Sequence, residues 1–73
     1  MNTSGPVMLK KRSFTLSGHR TSVALEAEFW AVIDEAAQNQ RISLAALVAQ
    51  IDASRGARPL ASALRLYALA ARQ

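Results

Sequence analysis

The sequence predicts a mainly α fold with one short β-strand per chain, completed by pairing two copies. Three observations predict it: a period-two run ending at Leu25, two helical apolar stripes split by a short turn, and a cysteine-free length of 73 residues. A chain this short buries too little surface to stand without a staple. The absence of cysteine excludes disulfides and thiolate metal sites, and the single His19 offers no histidine cluster for a metal. Association with a second copy is the staple that remains.

Residues 1–9 hold Gly5 and Pro6 among small polar side chains and are expected to form a flexible arm. From Lys11 to Leu25 the hydrophobics are spaced by two. Phe14 and Leu16 alternate with Ser13, Thr15 and Ser17, and Thr21, Val23 and Leu25 alternate with Arg20, Ser22 and Ala24. That period marks half-buried strand. The two runs are out of phase, even positions in the first and odd in the second, so one regular strand cannot bury both. Gly18 suits either a bulge or a turn that resets the register. The residues do not choose between them, nor between a separate strand, a bulged extension and an arm for residues 12–19.

Glu26 to about Asn39 reads as a helix with Phe29, Trp30, Ile33, Ala36 and Ala37 on one face. Glu26 and Glu28 suit the positive end of its dipole. Asn39-Gln40-Arg41-Ile42 breaks the pattern as a short turn, and Ser43 is placed to cap the next helix. Leu44, Leu47, Val48 and Ile51 form that helix's stripe, and Gly56 ends it. Pro59 opens a third helix with Leu60, Leu64, Tyr67, Ala68 and Ala71 on one face, leaving Leu66 and Leu69 off it. The expected organisation is an arm over 1–9, a core over 10–56 and a C-terminal helix over 57–73.

The net charge of +4 is unevenly placed. Residues 1–20 carry Lys10, Lys11, Arg12 and Arg20 without an acid; the middle holds all five acids; residues 55–73 carry Arg55, Arg58, Arg65 and Arg72 without an acid. Two N-terminal segments brought together make a basic surface suited to a polyanion. A single strand leaves its ladder unpaired, and pairing it with its symmetry mate also lets four helices share a core.

The segment Arg20-Thr21-Ser22-Val23-Ala24-Leu25-Glu26-Ala27-Glu28-Phe29-Trp30, then Ile33 and the Ser43-Leu44-Ala45-Ala46-Leu47-Val48 helix start, resembles the ribbon-helix-helix fold of Arc-type and Met-type repressors. Lys11-Arg12-Ser13-Phe14-Thr15, Gly18-His19-Arg20-Thr21-Ser22 and Ser62-Ala63-Leu64-Arg65 are similar to a subfamily of small bacterial ribbon-helix-helix proteins, over about residues 10–70. The resemblance implies an intertwined homodimer with an intermolecular two-stranded antiparallel ribbon and an extra C-terminal helix. Its dimer core would comprise Val23, Leu25, Phe29, Trp30, Ile33, Leu44, Leu47, Val48 and Ile51. It also implies a cytoplasmic regulator that represses by occupying promoter DNA, with dimers able to assemble further along the duplex.

A two-stranded ribbon fits the major groove, where base edges are distinguishable. The outward strand face would carry Arg20, suited to guanine, Ser22, and Ala24 with only a methyl to offer thymine. Family members often carry a longer polar or basic residue where Ala24 stands, so shape-based binding gains weight. Phosphates would be held by the amides around Ser43 and Leu44, with Arg41 just ahead. Lys10, Lys11, Arg12 and His19 would add contacts to the backbone of the duplex.

Catalysis has no support. His19, Ser17, Ser22 and Asp52 come without a nucleophile elbow or oxyanion pattern, and no glycine-rich phosphate loop is present. No cofactor is implied. No apolar run approaches the roughly 20 residues of a membrane span, and the N-terminus lacks signal-peptide character. The competing role is protein binding: an antitoxin-like protein, or an adaptor that has lost DNA binding, would use Arg58 to Gln73 to hold a protein partner.

Overall fold

A computed structural model describes residues 8–72. Most of the expected arm over 1–9 lies outside the described residues, and Leu9 already belongs to the first strand. Five elements follow: β1 (Leu9–Leu16), β2 (His19–Glu26), α1 (Ala27–Gln40), α2 (Leu44–Ser54) and α3 (Leu60–Ala71).

The expectation of one strand per chain, paired with a second copy, is corrected. Both strands of the ribbon come from the same chain, as an antiparallel hairpin in which Leu16 faces His19, Phe14 faces Thr21, and Leu9 faces Glu26. The phase reset is a turn, not a bulge. Ser17 and Gly18 form a two-residue loop with φ of 51° and 80°, the doubly positive signature of a type I′ turn, whose twist matches that of the strands. Every opposed pair therefore joins residues of opposite parity, even residues of β1 facing odd residues of β2 on one side and odd facing even on the other. Opposed residues share a face, so the even run of Phe14 and Leu16 and the odd run of Val23 and Leu25 point to one side, where all four are buried.

The helices close over that side. Leu25, Ile33, Val48 and Leu64 are fully buried, with Trp30 and Leu47 nearly so, and Ile51, Ala37, Ala63 and Ala68 complete the cluster. Phe29 and Leu44 are partly buried against it. The residues expected to pack between two chains are thus sheltered within one. The hairpin is what permits this, because β1 supplies both the missing ladder and two further core side chains.

Local signals account for the boundaries. Glu26 is extended (φ −60°, ψ 145°) and ends β2 as α1 begins, one residue later than the acid pattern suggested. Arg41 adopts a left-handed conformation (φ 59°) at the end of α1. There its amide donates to the Gln38 carbonyl at 3.0 Å and the Ile42 amide to the Ala37 carbonyl at 3.1 Å. This is the Schellman pattern, usually built on glycine. Ser43 caps α2 as expected, its hydroxyl accepting from the Ala46 amide at 3.0 Å. Gly56 (φ 62°) follows Arg55, which caps α2, and Pro59 precedes α3.

Two long-range ties lock the layers. Trp30 Nε1 donates to the Lys10 carbonyl at 2.7 Å, fixing α1 to β1. Arg65 of α3 grips Glu26 with two contacts, Nε to Oε1 at 3.0 Å and a terminal nitrogen to Oε2 at 3.4 Å. That hydrogen bonding to Arg65, helped by the backbone amide of Glu26, holds the Glu26 carboxyl below its ordinary range. A carboxyl depressed by folding stabilises the native state above the unfolded glutamate range, and that contribution fades as pH falls through the folded value. Arg65→Met is therefore expected to lower stability at neutral pH while flattening the further loss between roughly pH 5 and pH 3. Urea midpoints across that range, read by circular dichroism, check it. An acid limb identical to the parent's would show that the pair contributes nothing.

Candidate nucleic-acid interface

The hairpin has two chemically opposite faces. On the outward one, three opposed pairs stand in sequence: Thr15 with Arg20, Ser13 with Ser22, and Lys11 with Ala24. The ladder ends on that face at Leu9 and Glu26, whose carboxylate is taken by Arg65. Lys11, Ser13, Thr15, Arg20 and Ser22 are exposed, and Ala24 is half-buried. The Ser13 and Ser22 hydroxyls lie 2.9 Å apart, and an Arg20 guanidinium nitrogen donates to the Thr15 hydroxyl at 3.4 Å. No acid occurs before Glu26 in the sequence, so the tip and middle of this ribbon carry two cations, three hydroxyls and a methyl.

That surface has the composition a major-groove reader needs. Arginine matches the two acceptors of guanine, hydroxyls both donate and accept, and small side chains let the backbone approach the base edges. Thr15 and Ser13 join Arg20, Ser22 and Ala24 here. They were legible as alternating strand residues, but without the hairpin register nothing placed them opposite the others.

The cations expected to touch phosphates are divided by the structure. Lys11 faces outward, and His19 is exposed beside the turn. Arg12 is on the opposite face of β1. Its guanidinium carbon sits 4.7 Å from the Trp30 ring centroid, and it pairs with Asp34 at 2.9 Å. A guanidinium stacked on an aromatic face and bound to a carboxylate fastens the hairpin to α1. Lys10 lies on that same face by register, its side chain exposed and its carbonyl held by Trp30.

Arg41, Ser43 and Leu44 lie together at the α1–α2 junction. Arg41 is exposed and its backbone terminates α1. Ser43 spends its hydroxyl on Ala46, and the amides of Leu44 and Ala45 open α2 ahead of the Leu47 amide, which donates to the Ser43 carbonyl at 3.1 Å. Such a helix start favours an anion electrostatically.

Other chemistry finds no site among the described residues: no group of three or more histidines and carboxylates is placed to hold a metal. Among the described residues no helix is long and apolar enough to cross a membrane.

Comparison with known proteins agrees with this architecture. A family model described as "Ribbon-helix-helix domain" matches residues 9–71, from the first residue of β1 to the last of α3. No curated protein and no solved structure matches the chain.

Proposed function

Because this chain belongs to the ribbon-helix-helix domain family, whose members generally bind DNA as transcription regulators and dimerise, we propose that it is a DNA-binding repressor that lays its hairpin into the major groove. The observation that carries the reading is the outward ribbon face of Lys11, Ser13, Thr15, Arg20, Ser22 and Ala24, basic and hydroxyl-rich opposite an inner face whose Phe14, Leu16, Val23 and Leu25 are buried in the core. Arg20 and Ser22 read base edges, with Ala24 beside them as a methyl contact. Lys10, Lys11 and His19 meet phosphates flanking the groove, and the α2 start at Ser43 and Leu44, with Arg41, holds a further phosphate. Arg12 serves chiefly to seat the hairpin on Trp30. Two copies acting together double the basic surface and read two half-sites, and occupancy of a promoter accounts for repression.

The test is fluorescence anisotropy of a labelled random duplex, titrated over salt. Binding is expected to weaken steeply as salt rises, and Lys11→Ala to reduce the slope of log K against log salt by about one. On a duplex enriched by repeated selection, Arg20→Ala is expected to cost about 10- to 100-fold in preference over random DNA, the worth of one bidentate base contact. It should leave the thermal midpoint unchanged, since Arg20 is exposed. A flat response at low salt from a folded protein would remove the DNA-binding reading.

A further inference from the structure

The α3 helix carries two apolar stripes, and the core uses one. Ala63, Leu64 and Ala68 are buried against α1, α2 and β2. Leu66 and Leu69, three residues apart and therefore neighbours on the helix surface, remain 47% exposed each. With Phe29 of α1 they floor a shallow groove of about 470 Å³, bordered by Arg58, Ser62 and Arg65. Arg65 stands over the Phe29 ring at 6.0 Å while gripping Glu26, so it forms a fixed wall. Arg58 makes no ion pair among the described residues. Residues 55–73 contain no acid at all.

From this arrangement we propose that the groove is an interaction surface for an acidic amphipathic helix contributed by another protein. A duplex does not fit it, because two half-exposed leucines and a phenylalanine have no counterpart in a phosphate backbone. A second copy fits poorly for a different reason. A closed two-fold contact places the same surface on both sides, and the lining of this groove has two arginines and no acid, so each copy would bring the same charge to the contact. A helix with apolar residues at i, i+4 and i+7 covers Phe29, Leu66 and Leu69, and glutamates or aspartates on its flanks meet Arg58 and the outer edge of Arg65. The groove shares no lining residue with the outward ribbon face of Lys11, Ser13, Thr15, Arg20, Ser22 and Ala24, so the two readings are tested by different substitutions.

The test uses the full chain and a synthetic amphipathic peptide with leucines at that spacing and glutamates elsewhere. A scrambled peptide of the same composition and a lysine version serve as comparisons. Binding is followed by amide chemical shifts, with the largest changes expected at Phe29, Ser62, Leu66 and Leu69. The paired substitution Leu66→Ser and Leu69→Ser is expected to weaken binding at least about tenfold, as loss of a central apolar anchor does, and to leave the circular dichroism melt and DNA binding as in the parent. Arg58→Glu, a surface change that leaves the apolar floor intact, should weaken the acidic peptide and strengthen the lysine version. Equal binding of the scrambled peptide, or no shifts at millimolar peptide, would overturn the proposal. So would sedimentation showing that the leucine substitutions convert a dimer to a monomer, since a second copy would then be the occupant.

Discussion

Trp30→Ala is expected to leave this domain largely unfolded at room temperature. The side chain is 1% exposed and joins three kinds of interaction at one point. Its ring lies 6.0 Å from that of Phe14, beneath the Arg12 guanidinium, and its Nε1 donates to the Lys10 carbonyl. Truncating a buried aromatic to alanine costs about 3–5 kcal/mol, while 73 residues at roughly 0.05–0.15 kcal/mol each give about 4–11 kcal/mol in total. The loss is comparable with the whole, and β1 gives way first, since Lys10 and Phe14 lose their partner on α1 and Arg12 keeps only Asp34 there. Trp30→Phe keeps most of the apolar surface and removes only the donor, so it should cost nearer 1–2 kcal/mol, about one hydrogen bond and a small void. Urea titrations followed by circular dichroism distinguish the two, because Trp30 is the sole tryptophan and its fluorescence disappears with it. Alanine and phenylalanine variants of equal, near-parental stability would mean that the hairpin does not rest on Trp30.

How much of this was legible in the sequence depends on the range of the interaction. The helices were readable because Trp30, Ile33 and Ala37, or Leu44, Leu47, Val48 and Ile51, repeat at the helical period within one element. Ser43, Gly56 and Pro59 punctuate through their own backbone chemistry. The hairpin was half legible. The flip from even to odd positions between Leu16 and Val23 is what a two-residue loop produces, yet Ser17-Gly18 is a weaker turn signal than Asn-Gly or Asp-Gly. A bulge predicts the same flip. The resemblance to a one-strand ribbon then favoured a partner from another chain, and the structure places that partner in β1. Arg41 as a helix terminator was hidden because left-handed backbone is read from glycine or asparagine. The Arg12–Trp30–Asp34 cluster and the Arg65–Glu26 pair join residues 18 to 39 positions apart in sequence, and local patterns carry no trace of them. The outward face was the most legible part of the candidate site, since alternation alone put Arg20, Ser22 and Ala24 together. Completing it with Lys11, Ser13 and Thr15 required the register.

Ending the chain after Gly56 is expected to unfold what remains. Such a protein loses Leu64 and Ala68, both fully buried, along with Ala63, and with them the Arg65–Glu26 pair and the Gln40–Tyr67 hydrogen bond at 2.8 Å. The leucine alone accounts for about 1.5–3 kcal/mol of burial and each alanine for roughly another 0.8 kcal/mol. Uncovering their neighbours on α1, α2 and β2 costs again, because apolar surface there returns to water. A 56-residue remainder has only about 3–8 kcal/mol to lose. Circular dichroism and amide shift dispersion of the truncated chain check this, and a cooperative melt with native-like dispersion would show α3 to be a detachable appendage. The distinction decides how deletion experiments are read. If the truncated chain is unfolded, its failure to bind DNA or a protein partner says nothing about which residues of α3 touch either one. Surface changes that leave Ala63, Leu64 and Ala68 in place are then the only way to separate the inward stripe of α3, which completes the core beneath the hairpin, from the outward stripe of Leu66 and Leu69.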